Sequence, residues 1–143
     1  FVSNRCVARP DEKGIEKKLQ RWQRIAEEAA KQSGRGVIPA VSAVDSFDQA
    51  LNIANHTDLP LFMYETGERV DLKTAIERSG EIRSGEIRSA AILTGPEGGF
   101  EPYEAELAKT LGFSLISMGP RILRCETAPL AALTALMYAT GNL

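Results

Sequence analysis

Three compact apolar runs, Leu59 to Tyr64, Ala90 to Leu93 and Phe113 to Met118, are separated by segments of helical character. Short runs without polar alternation suit strands covered on both faces, as in a parallel sheet; a strand with one wet face would alternate. Pro10 and Asp11 precede a stripe of Ile15, Leu19, Trp22, Ala26 and Ala29 that describes an amphipathic helix ending at Gly34. Val37 to Val44 reads as a further strand. Ser46 to Asn55 reads as a short helix with Phe47, Ala50, Leu51 and Ala54 inward, and Asp71 to Glu77 and Pro102 to Leu111 as two more. A final helix runs from Thr127 to Thr140, with Pro129 tolerated in its first turn. The alternation predicts an α/β fold, a mainly parallel sheet flanked by helices.

At 143 residues the chain fits one domain. Its 17 Lys and Arg against 19 Asp and Glu give a net charge of -2, which excludes a globally basic nucleic-acid binder but leaves a local basic face open. No apolar run approaches the roughly 18 residues of a membrane span, so a soluble protein without a membrane partner is expected. Cys6 and Cys125 lack CxxC spacing; neither a zinc site nor a disulfide framework is indicated, and a reducing cytoplasm is the simplest compartment. Phe1 and Val2 open the sequence without Met or a signal-peptide pattern, which leads us to expect a chain that begins mid-fold, as a piece of a longer protein. The tandem SGEIR of residues 79–83 and 84–88 reads as a duplication in a surface loop, tolerated because loop closure costs rise slowly with length. The last helix is apolar around most of its circumference, from Ala128 through Leu130, Leu133 and Leu136 to Tyr138. It is either enclosed by its own domain or buried against a partner subunit.

Two strand exits are the candidate sites. Residues 93–101 (LTGPEGGFE) follow an apolar strand and lead into a helix, where open α/β sheets bind ligands; the same glycines would also serve a tight turn. The segment has neither GxxxxGK[ST] nor GxGxxG, and Glu97, Glu101, Glu104 and Glu106 crowd it, so a ligand held by its phosphates is not expected. Residues 118–127 (MGPRILRCET) form the second exit, where Arg121 or Arg124 either serves a site or pairs with Glu126 to staple the loop. Cys125 has no His nearby in sequence, which argues against covalent cysteine catalysis; His56, the sole histidine, reads as a surface residue. Glu28, Gln32 and Arg35 share a face at the end of the first helix. They read either as a solvated helix end or as a polar lip for an RNA backbone that Arg5 and Arg9 extend.

Together, LTGPEGGFE (93–101), MGPRILRCETA (118–128) and WQRIAEEAAKQSGR (22–35) resemble the ribosomal RNA small subunit methyltransferase E family, within the SPOUT superfamily of S-adenosylmethionine-dependent RNA methyltransferases. The resemblance covers essentially the whole chain. It implies methylation of N3 of a uridine in 16S ribosomal RNA, a C-terminal trefoil knot that breaks the rule against knotted chains, a homodimer, and the small ribosomal subunit or its RNA as partner. Relative to the family, residues 1–143 would form the methyltransferase domain without its first strand and helix and without the N-terminal barrel-type RNA-binding domain. The cofactor S-adenosyl-L-methionine would lie among the loops after Tyr64, Leu93 and Met118. The implied cofactor-binding residues are Tyr64, Glu65, Thr94, Gly95, Gly98, Gly99, Ser117, Met118, Gly119, Leu123, Arg124 and Thr127, with no metal. Arg124 is expected to stabilise charge on the uracil oxygens with Glu126 orienting it, and Arg5, Gln32, Arg35 and Arg121 to touch RNA. The alternatives are a non-catalytic RNA-binding or ribosome-assembly module on the same fold, and an unrelated nucleotide-binding α/β domain.

Overall fold

The computed structural model describes residues 1–7, 11–44, 46–83 and 87–143. Asp11 caps α1 (Glu12–Gln32) by accepting the Gly14 N–H at 2.9 Å, and Ser46 caps α2 (Phe47–Asn55) through the Gln49 N–H at 3.1 Å. Then follow β1 (Leu59–Met63), β2 (Val70–Asp71), α3 (Leu72–Arg83), β3 (Ala90–Leu93), α4 (Pro102–Thr110), β4 (Ser114–Ser117) and α5 (Ala128–Ala139). The sheet order is β2-β4-β1-β3 with every pair parallel, as the apolar runs require.

Strand β1 lies between β3 and β4, with Leu61 opposite Ile92 on one side and Ser114 on the other. Successive side chains of a strand point to opposite faces, so its run feeds two cores. On one face Phe62 packs with Leu51, Phe100, Ala108 and Phe113; on the other, Leu59 and Leu61 pack with Leu72, Ile116 and Leu136. The rings of Phe62 and Phe100 have centroids 4.2 Å apart, which ties the segment after β3 to the central strand.

Four expectations are corrected. Val37 to Val44 forms no strand: Val37 is 77% exposed, Pro39 lacks an N–H, and the Gln23 amide takes the Val41 N–H at 2.9 Å while donating to the Pro39 carbonyl at 3.3 Å. A helix side chain thus occupies the groups that a ladder would need. Helix α3 extends beyond Glu77 through the first SGEIR copy, which is helical rather than a loop. Of the second copy, residues 84–86 lie outside the described residues, as do Arg9 and Pro10. Strand β2 was not expected, since two residues carry no periodicity; Val70 and Asp71 pair with Ile116 and Ser117. Finally, Trp22 and Ala29 on the first helix are exposed, while the neighbouring Ala30 is buried.

Helix α5 buries Ala132 and Leu136 but leaves Leu130 67% and Tyr138 77% exposed. Among the described residues, cover is found on the Ala132 and Leu136 side of the helix alone.

Phe62→Ala removes a fully buried ring shared by the aromatic cluster and should lower unfolding stability by about 3–5 kcal/mol in urea titration. A loss below about 1 kcal/mol would contradict this packing.

Candidate functional site

Parallel strands end on one edge, so the chain leaves β1, β3 and β4 side by side. The Tyr64 N–H donates to the Ile116 carbonyl at 3.0 Å, holding the first exit beside the third. A cavity of about 540 Å³ opens between the exit loops.

Of the residues expected to hold a cofactor, Tyr64, Glu65, Thr94, Gly95, Ser117, Met118, Gly119, Leu123 and Arg124 line this cavity, and Arg121 and Glu126 line it too. Three do not. Gly98 turns its carbonyl to Arg5, Gly99 sits at φ +67 and donates its N–H to the Pro96 carbonyl at 2.8 Å, and Thr127 donates its N–H to the Arg124 carbonyl at 2.9 Å. Gly99 occupies a left-handed conformation in which a Cβ is strained, so its role is to turn the loop. Thr127 begins the turn into α5.

The structure adds Arg69, Glu97, Ile122 and Cys125 to the wall. Glu97 lies within a recognised motif, but its charge signalled only what the loop does not bind. Arg69 had no motif; it reaches the cavity because the connection between β1 and β2 folds back over the strand ends.

The Cys125 thiol donates a hydrogen bond to Glu126 Oε2 at 3.2 Å, and among the described residues no ion pair joins Glu126 to Arg124. The expected orientation of Arg124 by Glu126 therefore lacks a contact. Hydrogen bonding to Glu126 raises the Cys125 thiol above its ordinary pKa, with burial and Glu97 adding to the effect. Glu126 moves below the usual carboxylate range, through its own backbone N–H first and then the thiol. A protonated thiol is a poor nucleophile, in keeping with the argument against cysteine catalysis. Among the described residues no group of His, Cys, Asp or Glu side chains is placed to hold a metal ion.

The expected RNA contacts divide. Arg121 is exposed at the cavity, whereas Gln32 and Arg35 lie exposed at the end of α1 and line none of it. Arg5 is engaged against the loop after β3, donating to the Gly98 carbonyl and to the Glu101 carboxylate, each at 2.9 Å. Among the described residues no helix is long and apolar enough to cross a membrane.

A model of the RNA methyltransferase domain family matches residues 1–137. The chain is similar to ribosomal RNA small subunit methyltransferase E of Bacillus subtilis, with 39% identity over 143 residues, 98% of this chain and 54% of that protein. With the protein of the same name from Mesomycoplasma hyopneumoniae it shares 35% identity over 120 residues, 84% of this chain and 48% of that one. The chain therefore spans about half the length of these relatives. Among solved structures, it is similar to ribosomal RNA small subunit methyltransferase E of Neisseria gonorrhoeae bound to S-adenosyl methionine, with TM-score 0.76, 33% identity, and coverage of 96% of this chain and 53% of that one. A Legionella pneumophila methyltransferase in complex with the same cofactor gives TM-score 0.80 and 31% identity over 96% of this chain and 53% of its own.

A raised thiol pKa leaves less thiolate at a given pH. In a Cys6→Ser background, Cys125 should react with iodoacetamide at pH 8 more slowly than a free thiol, and Glu126→Gln should accelerate it, followed by mass spectrometry. An unchanged rate in the Glu126 variant would contradict the thiol–carboxylate pairing.

Proposed function

This chain belongs to the RNA methyltransferase domain family, and we propose that its cavity binds S-adenosylmethionine and that it methylates N3 of a uridine in 16S ribosomal RNA. The observation that carries this reading is the convergence of the β1, β3 and β4 exits on one cavity whose wall includes Arg124, an arginine with no ion pair among the described residues. The lining suits the cofactor's chemistry. Met118, Ile122 and Leu123 offer apolar surface for an adenine, Thr94 and Ser117 offer hydroxyls, and the carboxylates of Glu65, Glu97 and Glu126 favour a cation over a phosphate. When bound, S-adenosylmethionine supplies an electrophilic methyl on a sulfonium.

A uridine N3 is protonated at neutral pH and attacks poorly, so the protein must favour its anion. Arg124 is exposed at the cavity and has no ion pair among the described residues, which leaves its guanidinium free for negative charge developing on the uracil oxygens. Arg121, exposed on the same loop, suits the RNA backbone, and Gln32 and Arg35 are proposed as a more distant RNA contact. A second copy of the chain covering the apolar flank of α5 accounts for exposed Leu130, Leu133 and Tyr138. The trefoil threading and a cytoplasmic location belong to the same proposal.

Calorimetric titration should show binding of S-adenosylmethionine but not of ATP or NAD; preference for either nucleotide would overturn the reading. Arg124→Ala should reduce methyl transfer to small-subunit RNA by about 10²–10³-fold while leaving cofactor affinity within about threefold. Parallel loss of both would remove Arg124 from the transition state. RNA binding without any transfer would favour the assembly module. In size-exclusion chromatography with light scattering the chain should elute as a dimer, and a monomer at micromolar concentration would refute the pairing through α5.

A further inference from the structure

The loop after β3 has two sides. Thr94, Gly95, Pro96 and Glu97 face the cavity, while residues 98–101 are held from behind by the start of the chain. Arg5 Nη1 donates to the Gly98 carbonyl at 2.9 Å and Nη2 donates to Glu101 Oε2 at 2.9 Å. One residue earlier, the Asn4 N–H donates to Glu104 Oε1 at 3.1 Å, and Glu104 Oε2 takes the Glu101 N–H at 2.8 Å. Glu104 is 1% exposed, so its buried carboxylate is satisfied by both the first segment and the start of α4. Phe1 lies parallel to Phe100 with ring centroids 6.4 Å apart, completing the attachment.

The approach is close enough to constrain sequence. A Cβ at position 98 would lie 3.3 Å from the Arg5 Cβ, so glycine lets the arginine sit against the loop backbone. Arginine also suits the contact: its planar fork serves a carbonyl and a carboxylate at once, whereas an ammonium is a point charge without that fixed geometry. Neither atom that Arg5 holds touches the cavity, yet both belong to the span of loop that continues its wall.

We infer that Arg5 is a positioning residue for the cofactor loop, fixing the Gly98 carbonyl and the Glu101 carboxylate so that residues 94–97 are set before a ligand arrives. This rests on the proposed cofactor cavity. Holding a loop in its bound shape strengthens binding by reducing what must be ordered on association. The effect therefore falls on cofactor affinity, with the reacting groups left in place.

The test compares the wild-type chain with Arg5→Ala and Arg5→Lys by native-state hydrogen exchange, calorimetry with S-adenosylmethionine, and methyl-transfer kinetics. In Arg5→Ala, amides of residues 98–101 should exchange about tenfold faster while those of β1 and β4 keep their protection. Affinity for S-adenosylmethionine should fall by about fivefold, with KM for the cofactor rising and kcat at saturation held within about twofold. Arg5→Lys should recover part of the affinity through Glu101 alone. Unchanged loop exchange, or faster exchange throughout the sheet, would overturn the inference, as would a loss confined to kcat. If the wild-type chain binds no S-adenosylmethionine, the cofactor reading fails, and the assignment of Arg5 to a cofactor loop fails with it. The exchange arm separates the two: locally faster exchange in Arg5→Ala then still identifies Arg5 as the anchor of this loop.

Discussion

The parallel pairing of β1 with β3 on one side and β4 on the other is the constraint from which the rest of the molecule follows. A parallel pair cannot be closed by a tight turn, so the path from β1 to β3 carries α3 and the path from β3 to β4 carries α4, and these helices must lie on the faces of the sheet. Both faces are then covered, which is why Leu61 and Phe62, adjacent in sequence, can both be fully buried. The same pairing aligns the carboxyl ends of the strands. The cavity is the space left where the connections diverge from one edge, so the strands build the cores while the exit loops supply most of the cavity wall.

That division explains what could be read from the residues. The strands at 59–63, 90–93 and 114–117 were legible because a doubly covered strand is a continuous apolar run, and the exit loops followed from their position. Val37 to Val44 misled because apolar composition says nothing about whether a neighbouring strand is available; a glutamine from α1 occupies its backbone groups instead. Strand β2 escaped because its two residues are defined by partners in β4, not by their own pattern. At the site, motif residues 94, 95 and 117–119 line the cavity, but Gly98 and Gly99 serve the loop's own architecture. Arg69 could not be found from spacing, since only the return of the chain over the strand ends brings it there.

Charge at the cavity is mixed rather than uniform. Three arginines and three glutamates share its lining, and one of those carboxylates is occupied by a thiol. Such a lining gives no long-range attraction of one sign, in line with a net charge of -2 for the whole chain. Discrimination then depends on where each group stands. With Glu126 turned toward Cys125, Arg124 makes no ion pair among the described residues, and a guanidinium that is not stapled is available to a ligand at the cavity.

The contacts of the first segment also bear on how the protein comes to be folded. Asn4 and Arg5 meet Glu104 and Glu101 across separations of 100 and 96 residues. Contacts between such distant positions incur the closure entropy of a long loop and form efficiently only once nearer structure has drawn the ends together. During synthesis the first residues emerge well before their partners exist. Asn4 and Arg5 thus dock late, once the sheet and α4 have brought Glu101 and Glu104 into place, so the attachment of the loop behind the cavity is a closing event of folding rather than its start.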